Sequence, residues 1–449
     1  MPNPDADAES GINALIPRFV MFILDNLICA GHRAFIVGGA VRDICLCRPV
    51  TDWDVATSAS SAEIKSIFRN VRRFDLKKGT VTLVHAGRHF DVTPFRGPAN
   101  RLRDDLERRD FTMNAMALDV AGGRIVDYRN GRKDIGRARI RATGNPESRF
   151  REDPLRILRA VRFASELGFR IHTETLDAMT RMTGLLKNTA PERVREEFMR
   201  ILLCPKPSAG FSLLRRTGIL AVILPELLEG YLKRQNRHHR YTIFRHVMET
   251  VDRTPPIAVQ RLTALFHDIA KPRVRQKVNG MWHFRGHEAA GAEMTVEIMR
   301  RLRFSRERIR QVSNLVRHHG IDYDPVWTDG AVRRLIRRVG PEQIGDLLDF
   351  RHADILAHGL HRGKIRLLNE LRERVRGLSD PRTGSSLPRL AVNGKNVMEI
   401  LGIPPGPEVG RILNDLFEKI TDDPGLNTKA GLTAALERMK TRIQTGIRP

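Results

Sequence analysis

Hydrophobic and polar positions divide the chain into a mixed first third and a helical remainder. From Ala14 to Ala30 apolar residues recur at helical spacing. "AFIVGG" (Ala34–Gly39) then reads as a buried strand closed by glycines, and "AVRDICL" as the helix that follows. Between Phe74 and Phe95, β-branched and aromatic runs broken by Gly79 and Gly87 predict strands of a mixed or antiparallel sheet. From about Pro154 helical patterning dominates almost to the end. It is interrupted by a basic, histidine-rich stretch at Arg234–Arg240 and by "SDPRTGSSLP" (Ser379–Pro388), a turn-rich linker. The predicted class is α+β: a loose tail over 1–12, an α/β head over 13–145, a helical neck over 146–232, a helical domain over 233–378 and a C-terminal helical unit over 379–449.

Composition sharpens this picture. The 449 residues carry a formal net charge of +25. Folding does not require such a charge, and it favours a polyanionic partner, usually nucleic acid. Cys29, Cys45, Cys47 and Cys204 form no C-x-x-C pair, which argues against a structural zinc site and fits a reducing compartment. Residues 1–10 lack the basic start and apolar core of a signal peptide. Phe19–Ala30 is too short to span a bilayer and contains Asp25 and Asn26. The expected location is the cytoplasm, without a membrane partner.

The head holds the first candidate chemistry. Gly38-Gly39 lets the backbone approach a phosphate closely, just ahead of a helix carrying Arg42 and Asp43. In "TDWDVAT", Asp52 and Asp54 share one face if the segment is a strand. Paired carboxylates so placed hold two magnesium ions, which activate an attacking 3′-hydroxyl and steady a leaving pyrophosphate. Asp91, in "RHFDVTPF", either completes that metal site or supports it.

"VGGAVRD", "TDWDVAT", "RRDFTMNAMALD" and "REDPLRILRAVRFASELGF" together resemble the class II tRNA nucleotidyltransferases and the related bacterial poly(A) polymerases, from about residue 30 to 230. The resemblance implies a polymerase-β-like head that uses CTP and ATP on tRNA, with Gly38, Gly39 and Arg42 on the triphosphate and Asp52 and Asp54 on Mg2+. It assigns Arg109 and Asp110 to ribose and phosphate, with Arg108 beside them and Asn114 in support. Asp127 and Gly131, in "VDYRNG", match a hinge segment. Cys47 stands where the family usually has glycine. In "REDPLRILRAVRF" the plain reading is a helix-start carboxylate paired three residues on with an arginine. The resemblance instead puts Asp153 and Arg156 on the Watson–Crick edge of the incoming base, where donors and acceptors together read C or A. Glu192, Arg193 and Glu197 read as charge-bracing residues on another helix.

The middle region carries a second pattern, His246, His267-Asp268, His287, His318 and Asp354, which resembles the HD phosphohydrolases. That resemblance gives His246, His267, Asp268 and Asp354 one divalent metal, with His287 and His318 on a second ion. Imidazoles and carboxylates suit manganese, nickel, iron or zinc better than calcium. A degenerate HD fold kept as an RNA-binding scaffold is the alternative. "VNGKNVMEILGI" resembles the family's C-terminal helical unit; Asn396 stands where many members have aspartate, and no chemistry is assigned to it.

These residues predict a template-independent tRNA 3′-end nucleotidyltransferase adding C, A or both. The alternatives are a poly(A) polymerase and an HD-type phosphohydrolase acting on RNA ends. The poly(A) relatives typically carry an arginine-rich C-terminal extension not found here, which favours tRNA. Between Arg96 and Arg108 lies only "GPANRLRDDLE". Full CCA-adding relatives carry a longer flexible loop there, associated with refitting the pocket from C to A. The short segment, with Pro98 limiting its freedom, points to an enzyme that adds CC only, beside the alternative of a compact lever.

Overall fold

Strands β1 (Ala34–Val37), β2 (Asp54–Thr57), β3 (Arg73–Asp75), β4 (Val81–His85), β5 (Arg88–Pro94), β6 (Met116–Asp119) and β7 (Arg124–Asp127) form one sheet in the order β3-β4-β5-β2-β1-β6-β7. All neighbours are antiparallel except β2 and β5, whose parallel register sets Asp54 beside Asp91. This is the mixed sheet the β-branched runs predict. The computed structural model describes residues 15–76, 79–97, 99–235, 241–359, 362–379 and 390–444. The expected tail at 1–12, Pro98, most of the basic stretch to Arg240 and the linker from 380 to 388 lie outside the described residues.

The chain forms two compact units, 1–225 and 226–449. In the first, Val37, Ala56, Phe95, Leu102, Leu106 and Ala117 make a buried cluster on the sheet. Burying each such side chain stabilises by roughly 1.5–3 kcal/mol. Helix Gly39–Cys45 leaves β1 through Gly38, whose φ of 76° suits glycine. The helix ends before Cys47, whose φ is 52°. That left-handed backbone is the physical reason glycine suits this position better than cysteine. The neck contains helices Pro146–Glu152, Leu155–Leu167 and Pro191–Leu202, the last two packed on one another.

In the second unit, helices Ile243–Arg253, Ala258–Phe266, His287–Arg301, Arg306–Arg317 and Ile344–His358 surround a buried histidine cluster, and a hairpin, Gln276–Val278 with Met281–His283, interrupts them. The C-terminal helices Gly394–Leu401, Pro407–Asp422 and Lys429–Gln444 bury Val397, Leu416, Ile420, Leu432 and Leu436. There Asn396 completes a capping box with Asn393, a helix-start role. Among the described residues no helix is long and apolar enough to cross a membrane.

Candidate functional site

A cleft of about 880 Å³ in the first unit collects Gly38, Gly39, Arg42, Asp52, Asp54, Arg109, Asp110, Asn114, Asp153 and Arg156, but not Asp91 or Arg108. Nine arginines and six carboxylates line it, so the wall is cationic although most charges are already paired. Its floor is the Gly38 turn. A Cβ added at Gly38 would stand 2.9 Å from Arg109 Nη1 and 3.5 Å from Asp54 Oδ2. Glycine is therefore needed both for the backbone angle and for the close approach of these two side chains.

Asp54 opens β2, whereas Asp52 precedes the strand and is exposed. The expectation that a strand aligns them on one face is corrected: the pairing of β2 with β1 begins only at Asp54. Both still line the cleft. Burial pushes the Asp54 carboxyl up; Arg109 opposes the shift, and Asp91 and Asp52 add to it. A divalent cation relieves this clustering of negative charge, so the residues present fit the expected metal. Asp91 does not line the cleft. Its Oδ1 accepts from Thr82 Oγ1 at 2.6 Å.

Arg109 is set by Asp105, a wholly buried carboxylate that accepts from its Nε and Nη2 at 3.0 and 2.8 Å. Arg42 is gripped by Asp43 through two bonds and donates a third to Asn114 Oδ1 at 2.9 Å. Asn114 donates in turn to Asp110, which also accepts from Arg159 at 2.8 and 2.5 Å. Burial alone would raise Asp110, but Arg159, Asn114 and the Phe111 amide hold it at about 2. Behind Arg159 lies a buried ion pair, Arg162 Nε to Glu197 Oε2 at 2.8 Å, in which burial lowers Arg162 to about 10 and raises Glu197. Glu197 thus braces charge as expected. The Asp127 carboxylate ties the amides of Arg129, Gly131 and Arg132, and a Cβ at Gly131 would meet the Thr112 carbonyl at 2.3 Å. The expected hinge is held by these contacts.

Asp153 and Arg156 both reach the cleft but not as a helical pair. Asp153 is extended, with φ −150° and ψ 99°, between two helices. Proline at 154 disfavours a helical residue before it. Asp153 accepts from Arg193 at 3.1 and 2.8 Å and caps Leu155. Arg156 donates to the carbonyls of Arg149 and Arg108 and to Glu152. Arg193, read as a brace, is thus the direct partner of Asp153. Arg159 and Asp105 were not anticipated. Their signals are the three-residue spacing of Arg156, Arg159 and Arg162 along one helix and the four-residue spacing of Asp105 and Arg109.

In the second unit, ligand atoms of His246, His267 and Asp354 form one tight triplet, and those of Asp268, His287 and His319 another. Asp268 links them: its Oδ2 lies 3.3 Å from His267 Nε2, and its Oδ1 lies 3.6 and 3.7 Å from His287 and His319. His318 is not in the cluster. The expectation naming it is corrected to His319, which is 3% exposed, because the helix ends at Arg317 and the chain turns there. His267, His287 and His319 each bond through Nδ1 to the carbonyl three residues back, at 2.9, 2.8 and 2.7 Å. This fixes the tautomer and turns each Nε2 lone pair inward. Burial and neighbouring imidazoles bring His319 down to about 3, so it stays neutral. Oδ1 of Asp268 and Oδ1 of Asp354 are buried without a hydrogen-bond partner, while Oδ2 of Asp268 is ion-paired with Lys271 at 2.7 Å. Orphaned acceptors facing imidazole lone pairs fit divalent cations.

Comparison with known proteins follows the same division. Residues 34–141 match the poly A polymerase head domain, 168–230 a model described as the probable RNA and SrmB-binding site of polymerase A, and 243–357 the HD domain. A polymerase-β-like nucleotidyltransferase head followed by a helical body with an HD domain is the class this fold defines. The CC-adding tRNA nucleotidyltransferase of Thermus thermophilus is 36% identical over 403 residues, covering 86% of this chain and 89% of that one. The A-adding tRNA nucleotidyltransferase of Deinococcus radiodurans is 33% identical over 402 residues, covering 86% and 91%. The crystal structure of the Bacillus stearothermophilus CCA-adding enzyme in complex with CTP superposes with a TM-score of 0.73 at 29% identity, over 99% of this chain and 100% of that chain. The chain belongs to the tRNA nucleotidyltransferase family.

Proposed function

We propose that this chain adds C, A or both to the 3′ end of tRNA, using CTP and ATP. The observation that carries the reading is the Gly38 floor, where Asp54 and Arg109 meet beneath an arginine-lined cleft. Asp52 and Asp54 would hold Mg2+, which supplies activation of the attacking 3′-hydroxyl and neutralisation of charge on the triphosphate. Asp91, beside Asp54 in the sheet, adds the negative charge that favours the cation. Arg42 and Arg109, each fixed by a carboxylate, orient the phosphates. Asp110 and Asn114 face the ribose, and Asp153, Arg156 and Arg193 offer the acceptors and donors that select the base. The division of labour is a head over 13–145, a neck over 146–232, an HD domain over 233–378 and a tRNA-binding unit over 379–449. Four free cysteines fit the cytoplasm. The test supplies purified protein with three tRNAs, ending before CCA, after C and after CC, and labelled CTP or ATP. No incorporation on any of them overturns the reading.

One observation favours the CC-only form. The segment after β5 is a six-residue helix, Leu102–Glu107, anchored by buried Asp105 to Arg109 and Arg96. An element so tied is a poor lever for refitting a pocket from C to A. Pro98, part of the expectation, lies outside the described residues. Efficient A addition to tRNA ending in CC removes this form and leaves the general reading intact.

The HD centre supports a second activity. We infer that it binds divalent cations through His246, His267 and Asp354 and through Asp268, His287 and His319. Metal bound there supplies an activated water for phosphoester hydrolysis. Hydrolysis of phosphate-ended or 2′,3′-cyclic-phosphate-ended RNA with Mn2+, Ni2+ or Mg2+ tests it; no turnover with any metal leaves the scaffold reading.

A further inference from the structure

Between Asp268 and His287 the chain leaves the HD centre and returns as a two-stranded hairpin. Gln276–Val278 pairs with Met281–His283, and Asn279-Gly280 makes the turn with φ of 48° and 76°, the backbone that a two-residue hairpin turn requires. The hairpin is tied to the centre at both ends. Lys271 Nζ forms an ion pair with Asp268 Oδ2 at 2.7 Å and lies over the Phe284 ring, while His287 Nδ1 bonds the Phe284 carbonyl. From Ile269 to His287 there are five cations, Lys271, Arg273, Arg275, Lys277 and Arg285, and no carboxylate. Asp268 neutralises Lys271 and Glu229 neutralises Arg273. Arg275, Lys277 and Arg285 form no ion pair among the described residues. Arg275 Cζ lies over the Trp282 ring, 3.4 Å from its centroid, with Nε covered and lacking a hydrogen-bond partner. Lys277, opposite Trp282 in register, stands 5.9 Å from the same ring. On the other strand face, Val278 and Met281 are exposed.

We propose that this hairpin is the arm by which the HD centre takes hold of single-stranded RNA, presenting the terminal phosphoester to the metal site. Unpaired cations over an aromatic plane meet the backbone, and exposed apolar side chains meet a base. This is the pairing that sequence-tolerant single-strand recognition uses. Nothing here needs a duplex: the arm is two short strands, enough for a few nucleotides and too small to track a groove. The proposal rests on the reading of the HD centre as a phosphohydrolase.

The test uses the full chain with Mn2+ and two substrates: a short oligoribonucleotide ending in 2′,3′-cyclic phosphate, and bis(p-nitrophenyl) phosphate, which is too small to reach the arm. Trp282→Ala and the double variant Arg275→Ala, Lys277→Ala should raise KM for the oligonucleotide about tenfold, with kcat and the small-substrate reaction held. In parallel, a photoreactive thiouridine oligonucleotide is crosslinked and the site mapped by mass spectrometry. Crosslinks within Gln276–His283, lost in both variants while circular dichroism is unchanged, support the arm. Unchanged KM together with crosslinks only elsewhere overturns it, although the hydrolytic reading then stands. Crosslinks at the hairpin with neither substrate hydrolysed under any metal overturn the hydrolytic reading, and with it the delivery role.

Discussion

The cleft of the first unit and the metal centre of the second handle charge in opposite ways. In the cleft nearly every ion has a protein partner: Asp43 holds Arg42, Asp105 holds Arg109, Arg159 holds Asp110 and Arg193 holds Asp153. In the HD centre one oxygen of each carboxylate has a cation, Lys271 on Asp268 and Arg351 on Asp354, but the other oxygen of each, Oδ1, is buried with no hydrogen-bond partner and only imidazoles around it. The first arrangement suits a ligand that comes and goes. Paired side chains keep their geometry without it, so little reorganisation is needed when a triphosphate arrives. The second suits a resident cation, since buried carboxylate oxygens that face only imidazole nitrogens are costly until one is bound. A preorganised reader and a preformed cage thus share one chain.

The largest expected effect breaks the comparison at the one carboxylate of the cleft lifted by burial. Asp54→Ala should reduce nucleotide addition on the order of 10³-fold or more, while tRNA affinity, measured by fluorescence anisotropy, holds because backbone contacts dominate it. Near-normal turnover with Mg2+ in this variant would remove Asp54 from the metal site. At the HD centre, Asp268→Ala removes a member of one triplet and the carboxylate that lies against His246 and His267 of the other. Metal content by mass spectrometry should fall, with nucleotide addition within about twofold of the parent because the two sites belong to separate compact units. His318→Ala should leave metal content unchanged; a loss there would return His318 to the ligand set.

Smaller effects test how the cleft holds its shape. With its carboxyl held at about 2, against about 3.9 when unfolded, Asp110 contributes about 2–3 kcal/mol of stability. The sign follows from a depressed folded value: the contribution is complete above about pH 4 and is lost as pH falls through about 2. Urea unfolding of Asp110→Asn should therefore differ from the parent at pH 7 and converge with it near pH 2. A gap that persists at pH 2 would point to packing instead. The smallest effect concerns choice of base. Asp153→Ala and Arg156→Ala should each cost roughly 1–3 kcal/mol of preference for CTP over UTP, read from competing single-nucleotide incorporation. Arg193→Ala should resemble Asp153→Ala, because it releases that carboxylate. Unchanged preference in all three would leave these residues a structural role.

Local chemistry was the most legible part of the sequence. Gly38 and Asp54 were visible because a glycine turn and an aspartate pair have short-range signatures, whereas Arg109 and Asp153 stood out only through the resemblance of their motifs to the tRNA nucleotidyltransferases. The errors have one cause. A residue's neighbours across space do not follow from its neighbours along the chain. Helical spacing suggested that Asp153 faces Arg156, but Pro154 straightens the backbone there and Arg193, forty positions on, takes the carboxylate. Either histidine of "VRHHG" fits a ligand pattern; a helix ending at Arg317 turns His319 inward and leaves His318 outside the cage.

Read alone, the sequence determined the α+β class, the mixed sheet, the helical body, the need for a polyanionic partner and the kinds of residue that do the chemistry. The class, the sheet, the helical body and the partner follow from periodicity, glycine geometry and charge, properties of short stretches of chain, and the candidate chemistry from the resemblance of whole motifs to known families. Only the tertiary structure decided the partners: Asp105 under Arg109, Arg159 on Asp110, Asp268 between two triplets and a cationic hairpin beside His287. Such pairings join segments tens of residues apart. Packing of the buried faces brings them together, and no local rule encodes that distance.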